Sequence, residues 1–373
     1  MSETGNTEGN TEGSTANRPG RLRRVLRATW LPLAVCLLAV SVIAVVAGVG
    51  WSRARDSALC NPRDVASKAM PSVVTILVST STSGSNGSGE FLDTEGHILT
   101  NNHVISPAAL NGGTIVVQRP NGEQLPATLV GRDNDTDLAV IKVSTDTTIA
   151  PIPFGPAPSV GDQVFAIGAP LGLADTFTAG VVSALGRSIG VPADNGSTAL
   201  VTSAIQTDAS INPGNSGGTL ANCDGELVGV PTAGATANDS SGAAVAGSIG
   251  LGFAIPADFA HRIADELIAH GTVEHADFGM SVVPVTRAES GITPDGLYIT
   301  AVAPGGAAAR AGLRRGDIVV TLDGQAVTSA DQLQAISLNK KPGEEVAVGY
   351  LRDGQSATAT LTLGTRTFPV GSG

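Results

Sequence analysis

The sequence predicts a mostly β protein, on two compositional facts and one pattern. Glycine is abundant (47 of 373 residues), aromatic residues make up only 3%, and the apolar residues are mainly Val, Ala, Leu and Ile. That mixture suits many short strands joined by tight turns. From Ser72 onward, apolar runs bounded by turn residues recur at Val73–Val78, Gly96–Thr100, Thr114–Gln118, Leu138–Val143, Val164–Gly168, Leu227–Val230 and Leu251–Ile255. Short strands without intervening helices indicate a barrel or sandwich. The first clear helix is Pro256–His270, with Phe259, Ile263 and Leu267 four apart on one face and Gly271 at its end. After the link Gly271–Ala276 the pattern becomes a small mixed α/β unit. Its elements are a strand at Gly296–Val302, a helix at Gly306–Ala311, a strand at Asp317–Leu322, a helix at Ser329–Leu338 and strands at Glu345–Arg352 and Ser356–Leu363. No internal repeat relates the two parts.

The N-terminal region reads differently. Residues 1–29 are rich in Thr, Gly, Asn and Glu and then basic, which predicts a disordered tail. Residues 31–50 carry no charge and are bracketed by Trp30 and Trp51, so 30–51 is predicted to be one transmembrane helix. A span needs roughly 20 apolar residues, and indoles favour the interface. The apolar stretch is longer than the ~7–15 residues usual in a cleaved signal peptide. Five arginines precede it, and Arg53 and Arg55 follow closely. The positive-inside rule then leaves the N-terminus in the cytoplasm and the body outside, anchored to the cell membrane by a single pass. Residues 52–71 form a stalk. Cys60 and Cys223 fall in what is then an oxidising compartment, where they either pair or remain separate thiols.

The formal net charge is −11, of which the first 29 residues contribute +2, so the remainder carries −13. So acidic a body argues against nucleic acid as a partner, because phosphate binding needs basic grooves.

Ser216 lies in Asn212-Pro213-Gly214-Asn215-Ser216-Gly217-Gly218, a glycine-dense turn that exposes a hydroxyl and lets backbone N–H groups converge. The N–H groups of Gly214 and Ser216 are the candidate oxyanion donors. His103 follows the apolar run His97–Asn102 and is expected at a strand's end, where imidazole can act as base. Asp133-Asn134-Asp135-Thr136-Asp137 offers three carboxylates. Asp137, beside the strand Leu138–Val143, is the candidate that orients His103, with Asp133 and Asp135 capping the turn. An EF-hand is excluded because the sixth and twelfth positions are Leu138 and Ser144. No metal or organic cofactor is expected. The order His, Asp, Ser is that of chymotrypsin-like proteases.

On these residues, the chain resembles the HtrA/DegP family of trypsin-like serine proteases with one C-terminal PDZ domain. The resemblance covers roughly residues 65–365. It is carried by Leu99-Thr100-Asn101-Asn102-His103-Val104, Thr136-Asp137-Leu138-Ala139-Val140, Gln206-Thr207-Asp208-Ala209, Asn212–Gly218 and Gly252-Phe253-Ala254-Ile255-Pro256. It implies a chymotrypsin-like double β-barrel protease domain over 72–270 and a small α/β PDZ domain over 277–365. It further implies degradation or processing of unfolded or exported proteins outside the cytoplasm, quality control under stress, and assembly as a homotrimer. A catalytically weak tethered peptide-binding scaffold or holdase, and a hydrolase of small esters, are the alternative classes. In the second domain, Asp277-Phe278-Gly279-Met280 matches a carboxylate-binding loop, with Phe278, Gly279 and Met280 as its binding residues. Ser281–Val285 is the strand expected to pair with a peptide C-terminus, and Leu333 and Ile336 the helix residues walling its apolar pocket.

Three positions depart from the family pattern: Glu90 where an apolar residue is usual, Thr219 after the second glycine of the nucleophile turn, and Pro231. Pro231 falls in the segment expected to pair with extended substrate, where proline cannot donate. The first specificity pocket, Ala209–Ile211 with Val230–Ala233, contains no acid and suits small or medium apolar side chains.

Overall fold

A computed structural model of the protein describes residues 60–366 except 145–147, 170–175, 195–197, 235–246 and 287–294. The expected tail, transmembrane helix and most of the stalk lie outside the described residues. Among those described, no helix is long and apolar enough to cross a membrane. Cys60 and Cys223 are each disulfide-bonded.

After helix α1 (Pro62–Ala69), six antiparallel strands close a first barrel. They are β1 (Val73–Ser79), β2 (Gly84–Phe91), β3 (His97–Asn101), β4 (Thr114–Gln118), β5 (Gln124–Asp133) and β6 (Leu138–Val143), in the order β1-β2-β3-β6-β5-β4. Alternation decides what each face buries. In β1, Val74, Ile76 and Val78 enter the barrel core with Phe91 and Ile98, while Val73 and Thr75 face outward. Helix α2 (Asn102–Asn111) follows β3 without a break and closes one end of the barrel with Val104, Ile105 and Ala108.

The second barrel repeats the architecture. It contains β7 (Gln163–Gly168), β8 (Thr176–Pro192), β9 (Thr198–Thr207), β10 (Thr219–Ala221), β11 (Leu227–Gly234) and β12 (Gly252–Pro256), in the order β10-β11-β12-β9-β8-β7. Val164, Ala166, Ile205, Leu220 and Val228 pack inside it. A separate cluster joins the barrels: Leu99, Leu138 and Val140 of the first meet Val230 and Ile255 of the second. Helix α3 (Ala257–His270) seals that cluster with Ala260, Ile263, Ala264 and Leu267, and ends on Gly271 in the left-handed conformation. Each fully buried Leu or Ile contributes about 1.5–3 kcal/mol, so this seam is a principal adhesive between the barrels.

The C-terminal unit begins with β13 (His275–Asp277), which pairs with the last strand, β20 (Gly364–Arg366). Between them run β14 (Met280–Val285), β15 (Gly296–Val302), α4 (Ala307–Arg310), β16 (Ile318–Leu322), β17 (Gln325–Ala326), α5 (Ala330–Asn339), β18 (Glu345–Arg352) and β19 (Gln355–Thr362). The sheet order is β14-β15-β16-β18-β19, with β17 beside β16. Phe278, Leu297, Ile299, Val319, Val346 and Leu361 form its core. A capping box at Ser329 and Gln332 starts α5.

Candidate active site

His103 lies in the first turn of α2, not at the strand's end where its apolar flank had placed it; the strand stops at Asn101 and the chain turns at once into the helix. The site is nevertheless held by that junction. Asn101 Nδ2 donates to the Asp137 carbonyl at 2.9 Å and the Asn102 N–H donates to the same oxygen at 3.0 Å. These bonds fix Asp137 with φ of +57°, a left-handed conformation that aspartate tolerates better than most residues. The Asp137 side chain is thereby turned back towards the helix. Its Oδ1 accepts from the His103 N–H at 2.9 Å, and its Oδ2 lies 2.8 Å from His103 Nδ1. With Nδ1 carrying the proton toward the carboxylate, Nε2 is left as the basic nitrogen. Burial of the imidazole disfavours its charged form, yet the hydrogen bond and charge of Asp137 outweigh that and hold its pKa above the ordinary histidine value. Asp137 is buried, whereas the His103 side chain is 34% exposed and therefore open on one side.

Thr232 completes the set. Its Oγ1 donates to Asp137 Oδ2 at 2.6 Å, and its carbonyl lies 3.4 Å from Ser216 Oγ. One residue of β11 thus ties the turn that carries Ser216 to the carboxylate that holds His103. Sequence reasoning missed Thr232, because nothing local distinguishes it from any other threonine in a strand.

The turn around Ser216 is clamped from the first barrel. Ser88 Oγ donates to the Gly214 carbonyl at 2.6 Å and accepts from the Ala169 N–H at 2.8 Å, while the Ser88 N–H donates to the Ser216 carbonyl at 2.9 Å. Gly214 has φ of +103°. At Gly217, a Cβ would lie 2.3 Å from Thr100 Oγ1, so that position admits only glycine. The Gly217 N–H donates to the Pro231 carbonyl at 2.9 Å. The N–H groups of Gly214 and Ser216 have no hydrogen-bond partner among the described residues, the condition for donors that receive an incoming oxygen.

A trypsin-like peptidase domain model matches residues 87–230, and a PDZ domain model matches residues 276–363. The HtrA-type protease AlgW, solved with a decapeptide, superposes with a TM-score of 0.66 at 31% identity, over 83% of this chain and 100% of that one. The chain belongs to the HtrA/DegP family. It is 44% identical over 308 residues to serine protease PepD of Mycobacterium tuberculosis, covering 80% of this chain and 65% of that protein. It is also 36% identical over 284 residues to the periplasmic serine endoprotease DegP of Escherichia coli K12, covering 74% and 56%. It therefore spans somewhat over half the length of those relatives.

Within this HtrA chain, one further reading from sequence needs correction. Asp133 and Asp135 do more than cap their turn. Asp133 Oδ2 lies 2.9 Å from His275 Nε2, and Asp135 Oδ2 accepts from Arg366 at 2.8 Å, so β13 and β20 of the C-terminal unit grip the loop that ends in Asp137. Asp133 also takes the Thr136 hydroxyl at 2.5 Å. Pro231 is a buried strand residue paired with Ala254 on one side, with a register break before Ala233, and no strand pairs with its other side among the described residues. The break is where a ladder tolerates proline. Around the expected specificity pocket, Ala209, Ile211 and Val230 are buried, and the neighbouring Asp208 spends one oxygen on the Val181 N–H at 2.7 Å.

In the PDZ unit, Gly279 has φ of +65° and a Cβ there would lie 2.9 Å from Ala307 N, so the loop requires glycine. Phe278 directs its side chain into the core, and Met280 already opens β14. The Gly279 N–H donates to Asp277 Oδ1 at 3.0 Å, a contact the loop's sequence did not announce. Leu333 and Ile336 pack, partly buried, against the PDZ core.

Proposed function

We propose that this chain is a membrane-anchored serine endopeptidase in which His103, Asp137 and Ser216 are the catalytic triad. The observation that carries the reading is the continuous connection from His103 through Asp137 and Thr232 to Ser216. In the proposed cycle, His103 Nε2 takes the Ser216 proton as Oγ attacks the scissile carbonyl. The N–H groups of Gly214 and Ser216 stabilise the oxyanion, and His103 then protonates the leaving amine. Water repeats the sequence on the acyl-enzyme, with Asp137 stabilising the imidazolium. No cofactor takes part.

The finer reading rests on the apolar, Trp-bracketed segment 30–51 and on the family resemblance. Residues 30–51 span the membrane once with the N-terminus cytoplasmic, and both folded domains work outside the cytoplasm on unfolded or exported proteins, as a homotrimer. The PDZ unit binds peptide C-termini through Phe278, Gly279, Met280, Leu333 and Ile336. Support comes from the names of the relatives, periplasmic endoproteases among them, and from the glycine-dependent loop at Gly279.

Fluorophosphonate labelling and casein degradation, wild type beside Ser216→Ala, test the activity. Both signals are expected in the wild type and neither in the variant. Labelling without proteolysis points to small esters, and no labelling to a scaffold. A reporter fused after Gly373 tests the topology; a cytoplasmic signal overturns it.

A further inference from the structure

A carboxyl group that the proposed chemistry does not use lies buried on β2, two residues from the Ser88 that clamps the nucleophile turn. Glu90 is 0% exposed, and neither of its carboxyl oxygens has a hydrogen-bond partner among the described residues. Its place follows from the strand pairing. Glu90 lies opposite Val73 of β1 and Leu99 of β3, and Ser88 lies opposite Thr75, so both point out of the first barrel. On the other side, Leu220 points into the second barrel, which turns its neighbour Thr219 outward beside Ile167. Thr219 is also fully buried, with its hydroxyl unpartnered among the described residues. The strand faces around Glu90 therefore bring Val73 and Thr75 from β1 and His97 and Leu99 from β3. Of these only His97 carries an ionisable side chain, and its ring is bonded to Asp93 at 2.5 Å.

A carboxylate in such a place has no countercharge and no donor, so the group is held as the neutral acid. Burial pushes Glu90 well above the ordinary carboxylate range. Two residues back on the same strand face, Ser88 makes the bonds that fix the Gly214 and Ser216 carbonyls. Three residues after Ser216, Thr219 starts the strand that leaves the turn. On the face it shares with Glu90, Ser88 is packed against the second barrel, since a Cβ on Gly168 or Gly218 would come within 3.0 Å of its side chain, so a rearrangement that hydrates Glu90 disturbs the face on which Ser88 clamps the turn.

We propose that Glu90 is a positioning residue for the nucleophile turn: as an uncharged acid it keeps the barrel seam closed beside Ser88, and a negative charge there parts the seam and releases the turn. The proposal rests on Ser216 being the nucleophile. It makes the protease sensitive to alkaline conditions through the seam, independently of the His103–Asp137 pair.

The test compares the full-length protein in detergent with Glu90→Gln, which keeps the shape and cannot ionise. Fluorophosphonate labelling rates are measured from about pH 6, already above the ~4.3 of an ordinary glutamate, to about pH 10, each profile normalised to its own maximum. Beyond the titration of Glu90 the wild-type rate falls about tenfold per pH unit, reversibly, and that limb is absent in Glu90→Gln. Thermal midpoints supply a second readout. A group that binds its proton more tightly when folded loses stability as pH rises above its unfolded value, so the advantage of Glu90→Gln over wild type grows with pH. Superimposable normalised profiles, or a midpoint difference independent of pH, overturn the proposal. If Glu90→Gln does not fold, Glu90→Leu takes its place in both measurements. A wild type that labels at no pH refutes the nucleophile assignment instead, and with it the positioning role, while the midpoints still decide whether Glu90 is the neutral acid.

Discussion

Thr232 donates its hydroxyl to Asp137 at 2.6 Å, on the oxygen that also faces His103 Nδ1. The bond fixes the carboxylate plane and stabilises its charge. Removing it with Thr232→Val leaves the shape of β11 but costs a hydrogen bond to a charged group, about 1.5–3 kcal/mol. The expected result is a kcat/KM about 10- to 100-fold lower, with Thr232→Ser close to wild type. Equal kinetics for all three proteins would show that the bond does not act on turnover.

The acid side of the pH profile follows from His103. Its pKa is raised because Asp137 outweighs the burial of the ring, and the base works only when neutral. Activity therefore rises as pH climbs through a value above the usual ~6.5 for histidine. In Asp137→Asn the raising influence disappears, so the acid limb moves to lower pH even as turnover drops by several orders of magnitude. Single-turnover acylation measured against pH separates the two effects, and an unmoved limb would assign it to another group.

His275 and Arg366 hold the loop that ends in Asp137 from outside the protease domain. The His275–Asp133 pair is buried, with side-chain exposures of 2% and 8%, so His275→Ala strands a carboxylate and is expected to cost about 3 kcal/mol of stability. The Arg366–Asp135 pair is more open, at 28% and 16%, and Arg366→Ala should cost about 1 kcal/mol or less. Burial and the charge of Asp133 hold Asp135 above the ordinary carboxylate value against the opposing pull of Arg366 and His275. Losing Arg366 raises it further. A double-mutant cycle of Asp133→Asn with His275→Ala, read by denaturant unfolding, checks the coupling; additive losses would show the two residues to be independent.

What could be read from the sequence was local. β4 and β6 fall where their apolar runs predict, and the glycine turn at Asn212–Gly218 identifies itself because no other residue type can follow such a path. The strand β2 was not legible: Gly84-Ser85-Asn86-Gly87-Ser88-Gly89 has turn composition and is made a strand by its neighbours β1 and β3. The long hairpin of β8 and β9 was missed for the same reason, since its exposed face breaks the apolar run. At the site, His103, Asp137 and Ser216 were identifiable by motif. Thr232 and Ser88 were not, because their partners are 95 and 126 residues away. The helix carrying His103 was hidden by Pro107, which usually argues against helix continuation but sits near the middle of α2.

The last prediction concerns Asp277, whose carboxylate already occupies the Gly279 N–H at 3.0 Å in the loop expected to receive a peptide's terminal carboxylate. A backbone N–H engaged by one anion is not available to a second, and a fixed negative charge beside the loop repels the incoming one. Free-acid peptides ending in Val, Leu or Phe should therefore bind full-length protein weakly, and Asp277→Ala should tighten them by roughly tenfold, about 1.4 kcal/mol. The same peptides amidated at the C-terminus lack the charge and should bind poorly to both proteins. Gly279→Pro removes the N–H and also forbids the loop's φ of +65°, so it should abolish the difference between the two peptide forms. Calorimetry with both forms on all three proteins distinguishes the possibilities. If Asp277→Ala tightens free-acid and amidated peptides alike, the loop recognises something other than the terminal carboxylate. If it tightens neither, Asp277 serves only to shape the turn.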